Sequence, residues 1–308
     1  MKRLFVTFVA LGLAAGMAAA QDYNAAIDAF NAGAQAENKT EALEQFRSAL
    51  AQFEVCEEAE AAEMAGKCKE AIASTLLSIA KEQINNAEYD AAVATLGETV
   101  TTANGYGLES VAADASALIP NAWSRKGAAL LKAKDFAGAA DALKEVVTLT
   151  PEDGQSWLLL GQAFVQTSDV DGAIEALTQA SALGKEEQAG KLLSNVYLKQ
   201  GMTLLKGGKA AEAIEALEKS NSYVETSNAT KLIASAYNKL GKTSDAINSY
   251  KKYLELAPDA KDAPDVMFTI AATAQKAGDK ATAIEYYKKL SSTKYAAQAA
   301  QQLTVLQK

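Results

Sequence analysis

Six times in this chain a Gly or Ala is followed twelve residues later by an Ala: Ala80 and Ala92, Gly127 and Ala139, Gly161 and Ala173, Gly201 and Ala213, Ala234 and Ala246, Ala271 and Ala283. Each pair sits in the same frame, a helical pattern carrying the first small residue, a short polar turn, then a second helical pattern carrying the Ala. Two antiparallel helices approach to roughly 8–10 Å, and most closely where the contact side chains are small. The fixed spacing therefore marks where the two helices of one unit cross, and the chain reads as an array of such units. The small residues are packing devices and carry no chemistry.

Aligning on the pairs brings other positions into register. Large residues recur four before the first small one, at Leu76, Trp123, Trp157, Tyr197 and Met267, with Thr230 the polar exception. Four after the second stand Leu96, Leu143, Leu177, Leu217, Tyr250 and Tyr287. Apolar positions at three- and four-residue intervals are the mark of an amphipathic helix with one buried stripe. Pro120, Pro151, Pro258 and Pro264 all read as unit boundaries, where a residue that cannot continue a helix belongs.

In these residues the chain resembles the tetratricopeptide repeat family. Trp123, Gly127, Leu130, Phe136, Ala139, Leu143 and Pro151 stand in the order and spacing of that family's pattern, and Trp157, Leu160, Gly161, Phe164 and Ala173 repeat it. Ala234, Tyr237, Ala246, Tyr250 and Pro258 form a third match. A degenerate first unit is read over 23–56, with Phe30 where the small residue should stand, Ala42 twelve later and Phe46 beyond. The expected units are 23–56, 73–106, 120–153, 154–187, 194–226, 227–260 and 264–292, followed by a capping helix over 294–307. The resemblance implies an all-α fold, a right-handed α-solenoid superhelix forming a single domain over 21–308. The interval from Ala92 to Ala139 is 47 residues rather than 34, so one or two extra turns of helix or a loop are inserted over 103–115, near Asn104 and Gly107. Smaller insertions are read near Gly184 to Gly190 and Ala260 to Ala263.

The chain opens Met1-Lys2-Arg3, runs apolar from Leu4 to Ala15 and reaches Ala18-Ala19-Ala20 before Gln21, the order of a secretory signal peptide. Cleavage after Ala20 and a periplasmic location, with no stable membrane insertion, are expected. Loss of Lys2 and Arg3 leaves 28 basic against 38 acidic residues, a net charge of -10 in place of -8. That balance argues against nucleic acid as a partner. Histidine is absent, which removes imidazole acid–base work and His-ligated metal in one step. No phosphate loop, catalytic carboxylate pair or nucleophile motif stands out, so no catalytic residue, metal or cofactor is assigned. The acidic stretch at Glu57 and Glu58 lacks the alternating oxygens and Gly turn of a calcium loop.

Cys56 and Cys68 are the only cysteines. In an oxidising compartment a structural disulfide across one connector is expected, contributing ~3 kcal/mol in the chain-entropy model. The alternative, a redox or metal pair, has neither Cys-x-x-Cys spacing nor another soft ligand nearby.

The resemblance also implies that the first helix of each unit lines an inner groove that binds extended peptides or partner helices. The residues read as facing it are Asn121, Ser124, Gln155, Gln162, Gln166 and Asn195, with Lys199, Lys206, Lys231, Asn238 and Lys239. No carboxylate is read among these first-helix positions before Asp265. Amides can pair with a peptide backbone, and lysines favour an acidic segment or a terminal carboxylate. Lys and Gln are equally good helix formers for a solvated face. The function expected is a non-catalytic adaptor for a protein or extended peptide, an acidic one being among the options, in envelope assembly or secretion. The alternative is a holdase-type chaperone, which would show an exposed apolar groove.

Overall fold

A computed structural model describes residues 17–307, with side chains from Asp22 onward. Most of the expected leader 1–20 lies outside the described residues. The chain divides into two compact units, 1–129 and 130–308, each taken by itself below.

The first unit contains α1 (Met17–Gln35), α2 (Lys39–Phe53), α3 (Ala61–Asn85), α4 (Tyr89–Gly105) and most of α5 (Glu109–Ala133). The second begins with the last turn of α5 and continues with α6 (Phe136–Leu149), α7 (Gly154–Thr167), α8 (Val170–Ala180), α9 (Glu186–Lys206) and α10 (Ala210–Tyr223). It ends with α11 (Ser227–Lys239), α12 (Thr243–Leu256), α13 (Ala263–Lys276), α14 (Lys280–Lys289) and α15 (Ala296–Leu306). Among the described residues there is no strand. Within each unit, helices consecutive in the chain pack on one another, the all-α solenoid arrangement.

The small residues do what their spacing implies. Ala92, Ala139, Ala173, Ala213, Ala246 and Ala283 are completely buried. A Cβ added at Gly161 would lie 2.6 Å from Leu177 Cδ2, and one at Gly201 would lie 2.6 Å from Leu217 Cγ. Both distances are shorter than a Cβ contact tolerates, so at these two crossings any larger residue would force the leucine of the second helix to move. In the first unit this role falls to Gly33, not to the position of Phe30: a Cβ there would meet the Phe46 ring at 2.9 Å and Ala42 O at 3.1 Å. Phe30 packs its ring on Phe46 instead, with centroids 5.4 Å apart.

The residue five before each second Ala adopts a left-handed conformation: Ala87, Lys134, Ser168, Gly208, Gly241 and Gly278 have φ between 62° and 82°. The turn between paired helices thus has one geometry throughout, filled by glycine in three units and by a side-chain-bearing residue in the other three, at a cost of ~1 kcal/mol each. Next to it a carboxylate caps the second helix: Asp135, Asp169 and Asp279 accept from the amides of Gly138, Gly172 and Thr282.

The insertion over 103–115 is mostly helix. The chain turns at Tyr106 to Leu108 and α5 begins at Glu109, so its opening turns precede the repeat pattern. Pro120 therefore lies inside α5 rather than at a boundary. An internal Pro costs a hydrogen bond and introduces a clash. Burial of Ala115 and Ala122, with Val111, Leu118 and Ile119 packed beside them against α3 and α4, offsets that cost. Near Gly184, α8 passes into α9 across a kink at Leu183 and Gly184, whose backbones are not helical, with Gly184 at φ 83°.

The connector between the cysteines is also largely helical, because Ala61, Met64, Ala65, Cys68 and Ile72 continue the buried stripe of α3. The expected disulfide is not formed here. Cys56 and Cys68 are free thiols, Cys56 half-buried after α2 and Cys68 completely buried on the core face of α3. Burial pushes the Cys68 thiol up to about 11, the protonated and unreactive form.

Candidate partner-binding cleft

Of the eleven residues read as facing a groove, Asn121 and Ser124 lie in the first unit, on α5, exposed and half-buried respectively. The rest lie in the second. Gln155, Gln162 and Gln166 share one face of α7; Asn195, Lys199 and Lys206 project from α9, all three exposed; Lys231, Asn238 and Lys239 stand on α11. The structure brings two of them together around a cavity. Lys199 and Lys206 border a cleft of about 540 Å³ between α7, the start of α8 and α9.

The residues that form the cleft are mostly ones the repeat pattern did not single out. Its apolar lining comes from Phe164 and Val165 at the end of α7, Val170 on α8, and Val196, Met202 and Leu204 on α9. Val170 and Met202 remain 36% and 37% exposed, so the lining is open to solvent. Asp169 and Asp171 stand on the α8 side, opposite the two lysines. Asp169 is committed to capping α8, accepting from Gly172 N at 3.0 Å. Among the described residues neither Lys199 nor Lys206 forms an ion pair. The cleft is thus apolar at its base and bears two ammonium groups on one side and two carboxylates on the other, none of the four in an ion pair. The apolar residues and the α8 aspartates stand beside the lysines that the sequence reading placed on the inner face. The signal that could have found the cleft is Met202, an apolar residue at a solvent-facing position between the two lysines.

Lys231 is a correction to that reading. Its Nζ lies 2.5 Å from Asp262 Oδ2, in the connection between α12 and α13, and 5.6 Å from the centroid of the Tyr253 ring. Tyr253 donates its hydroxyl to the other oxygen of Asp262. The carboxylate that neutralises this lysine thus comes from a connecting segment that a reading of first helices alone omitted. The Lys231 ammonium, then the Tyr253 hydroxyl, hold Asp262 below its usual carboxylate range. Burial, reinforced by the bond to Asp262, pushes Tyr253 up to about 12.

A carboxyl depressed in the folded state stabilises the fold above its unfolded pKa of about 3.9, and that contribution is lost as pH falls through the lower folded value. A tyrosine raised in the folded state contributes below about 10 and loses its share as pH rises through the folded value. The Asp262→Asn protein should accordingly melt below wild type at pH 7. The gap in Tm should narrow as the pH is taken below about 4. A gap constant down to pH 2 would show that the ion pair contributes nothing.

No helix among the described residues is long and apolar enough to cross a membrane. No group of three or more acidic or cysteine side chains among them could hold a metal ion.

The repeats can now be set beside known proteins. Models described as "Tetratricopeptide repeat" match residues 77–153, 124–187, 195–222, 232–260 and 265–293. No curated protein matches the chain. Among solved structures, MamA is similar at 21% identity and a TM-score of 0.35, over 57% of this chain and 95% of that one. The type IV pilus biogenesis factor PilW is similar at 19% identity and a TM-score of 0.29, over 56% and 77%. TTC0263, a thermophilic TPR protein of Thermus thermophilus, is similar at 17% identity and a TM-score of 0.28, over 61% and 98%. With repeat models matching well over half of its residues, the chain belongs to the tetratricopeptide repeat family.

Proposed function

We propose that the protein is a non-catalytic scaffold that holds a partner protein through the first helices of its repeats, in the periplasm, as part of an envelope-assembly or secretion system. The observation that carries the binding role is the open cleft beside Lys199 and Lys206, where Val170 and Met202 remain exposed although the surrounding helices are well packed. Exposed apolar surface beside unpaired charge is the composition of a docking site. The compartment rests on the N-terminal sequence alone, Lys2-Arg3 followed by an apolar run and Ala18-Ala19-Ala20. Soluble protein recovered from the periplasm should begin at Gln21.

The remaining groove positions of the second unit, Gln155, Gln162, Gln166, Asn195, Asn238 and Lys239, extend the proposed contact surface, and Asn121 and Ser124 are proposed as contact residues of the first unit by itself. Lys231 is left out because Asp262 occupies it. The exposed apolar lining also favours a second reading, a holdase-type chaperone. Cross-linking from intact cells separates the two, since a scaffold yields one defined partner and a holdase many unfolded chains. Reversing Lys199, Lys206 and Lys239 to Glu together should reduce partner capture by at least about tenfold while leaving helicity unchanged, because single surface charges contribute too little to read. Undiminished capture by the reversed protein would place the partner elsewhere.

A further inference from the structure

We propose that the edge of the second unit formed by the α9–α10, α11–α12 and α13–α14 turns docks on the surface of an anionic phospholipid bilayer, a contact separate from the partner-binding cleft. Lysines flank each of these turns: Lys206 and Lys209, Lys239 and Lys242, Lys276 and Lys280. Consecutive helices pack antiparallel across short turns, so the turns that follow α9, α11 and α13 lie at one end of the stack. Ala210, just past the first of them, shares a cluster with Leu205, Ala236 and Tyr237 at the ends of α9 and α11, which sets the first two turns side by side. All six lysines are exposed. Of the six, Lys209 alone forms an ion pair among the described residues, with Glu212 at 3.3 Å.

Helix stability does not account for all of them. Lys206, Lys239 and Lys276 complement the dipole at the C-terminal ends of first helices. Lys209 and Lys242 do the opposite: they take the N-cap positions of α10 and α12, make no capping bond and put a cation at the positive end of the dipole. In α6, α8 and α14 the same position holds a capping aspartate. Six lysines thus stand at these turns against three carboxylates, Glu212, Asp245 and Asp279, in a chain whose net charge is -8. Asp279 already accepts from the amide of Thr282. The preceding turn of this edge, α7–α8, has Asp169 and Asp171 and no lysine, so the basic surface starts at α9. Lysine is a hydrated point charge on a flexible stem, without the fork of arginine, and suits a diffuse layer of head-group charge rather than one carboxylate held bidentately. Leu240 decides the occupant. It lies between Lys239 and Lys242 and is 42% exposed. An apolar side chain flanked by cations gains from the boundary between head groups and acyl chains, which a string of phosphates or carboxylates alone does not offer.

The test is co-sedimentation of the full chain with vesicles of phosphatidylcholine, either alone or with about one third phosphatidylglycerol. Binding to the anionic vesicles should be at least about tenfold tighter than to the neutral ones, and should fall at least about tenfold between about 0.1 M and about 0.5 M salt. Lys242→Glu/Lys276→Glu/Lys280→Glu should remove at least about tenfold of that affinity and Leu240→Ser about threefold. Lys81→Glu/Lys144→Glu/Lys191→Glu changes the net charge equally but away from the edge, and should keep the affinity within about threefold. Circular dichroism should show all of these variants as helical as wild type. None of the lysines reversed at the edge is a groove residue, so the edge variant should still capture the cellular partner, and the scaffold reading and this one can fail separately. Equal binding to both kinds of vesicle, full affinity of the folded edge variant, or an equal loss in the two triple variants would overturn the proposal. So would vesicles left unbound while an oligo-aspartate peptide or a single-stranded oligonucleotide is held through the same lysines, which would make the occupant an acidic protein or a nucleic acid.

Discussion

The Leu177→Ala protein is expected to lose about 2–5 kcal/mol of folding stability, the range for emptying a fully buried leucine site. Leu177 is completely buried in a cluster with Ala173, Ala180, Leu193 and Val196, and its side chain lies over the Cα of Gly161. Replacing Gly161 by Ala alone should also destabilise, by about 1–3 kcal/mol, because the new Cβ would enter the space of Leu177 Cδ2 and Cγ. The two changes should not add. In the Leu177→Ala background the Gly161 methyl has room, so the double variant should be more stable than the sum of the single losses predicts. Urea denaturation of the four proteins checks the cycle. Strict additivity would mean that the helices do not meet at this pair.

The second large effect belongs to the C-terminal end. Tyr287 is 2% exposed, set edge-on to Phe268 with ring centroids 5.9 Å apart, and donates its hydroxyl to Gln275 Oε1 at 2.9 Å. Gln275 in turn donates to Gln302 on α15 at 2.9 Å, so one chain of hydrogen bonds ties α14 to α13 and α13 to the capping helix. Replacing Tyr287 by Ala should cost about 3–5 kcal/mol through lost packing. Replacing it by Phe, which keeps the ring and removes the hydroxyl, should cost about 1 kcal/mol. Amide hydrogen exchange should show the loss concentrated in α13 to α15, because in a repeat array stability is carried by nearest neighbours. A uniform loss along the chain would contradict that locality.

The candidate site was less legible than the fold. Lys199 and Lys206 could be named because charged residues on a helical face are recognisable from periodicity alone. Their meaning changed once Val165 and Val170, from a different helix pair, were found beside Met202. Lys231 reads from sequence as a free groove lysine, yet Asp262, 31 residues away, neutralises it. Periodicity reports which face of a helix a residue occupies. It does not report what the next helix or a connecting segment places opposite.

The same division holds for the whole molecule. The small residues at a spacing of twelve, with large apolar residues four positions outside them, determined by themselves that the chain forms paired helices and where those pairs cross, because close approach requires small side chains at the contact. Only the tertiary structure decided that Gly33 replaces Phe30 at the first crossing and that Pro120 sits inside a helix. It also decided that Cys68 is packed as a core residue and that an apolar cleft opens beside two free lysines. Each of these depends on contacts between residues far apart in sequence, where burial outweighs the local preference that a sequence pattern records.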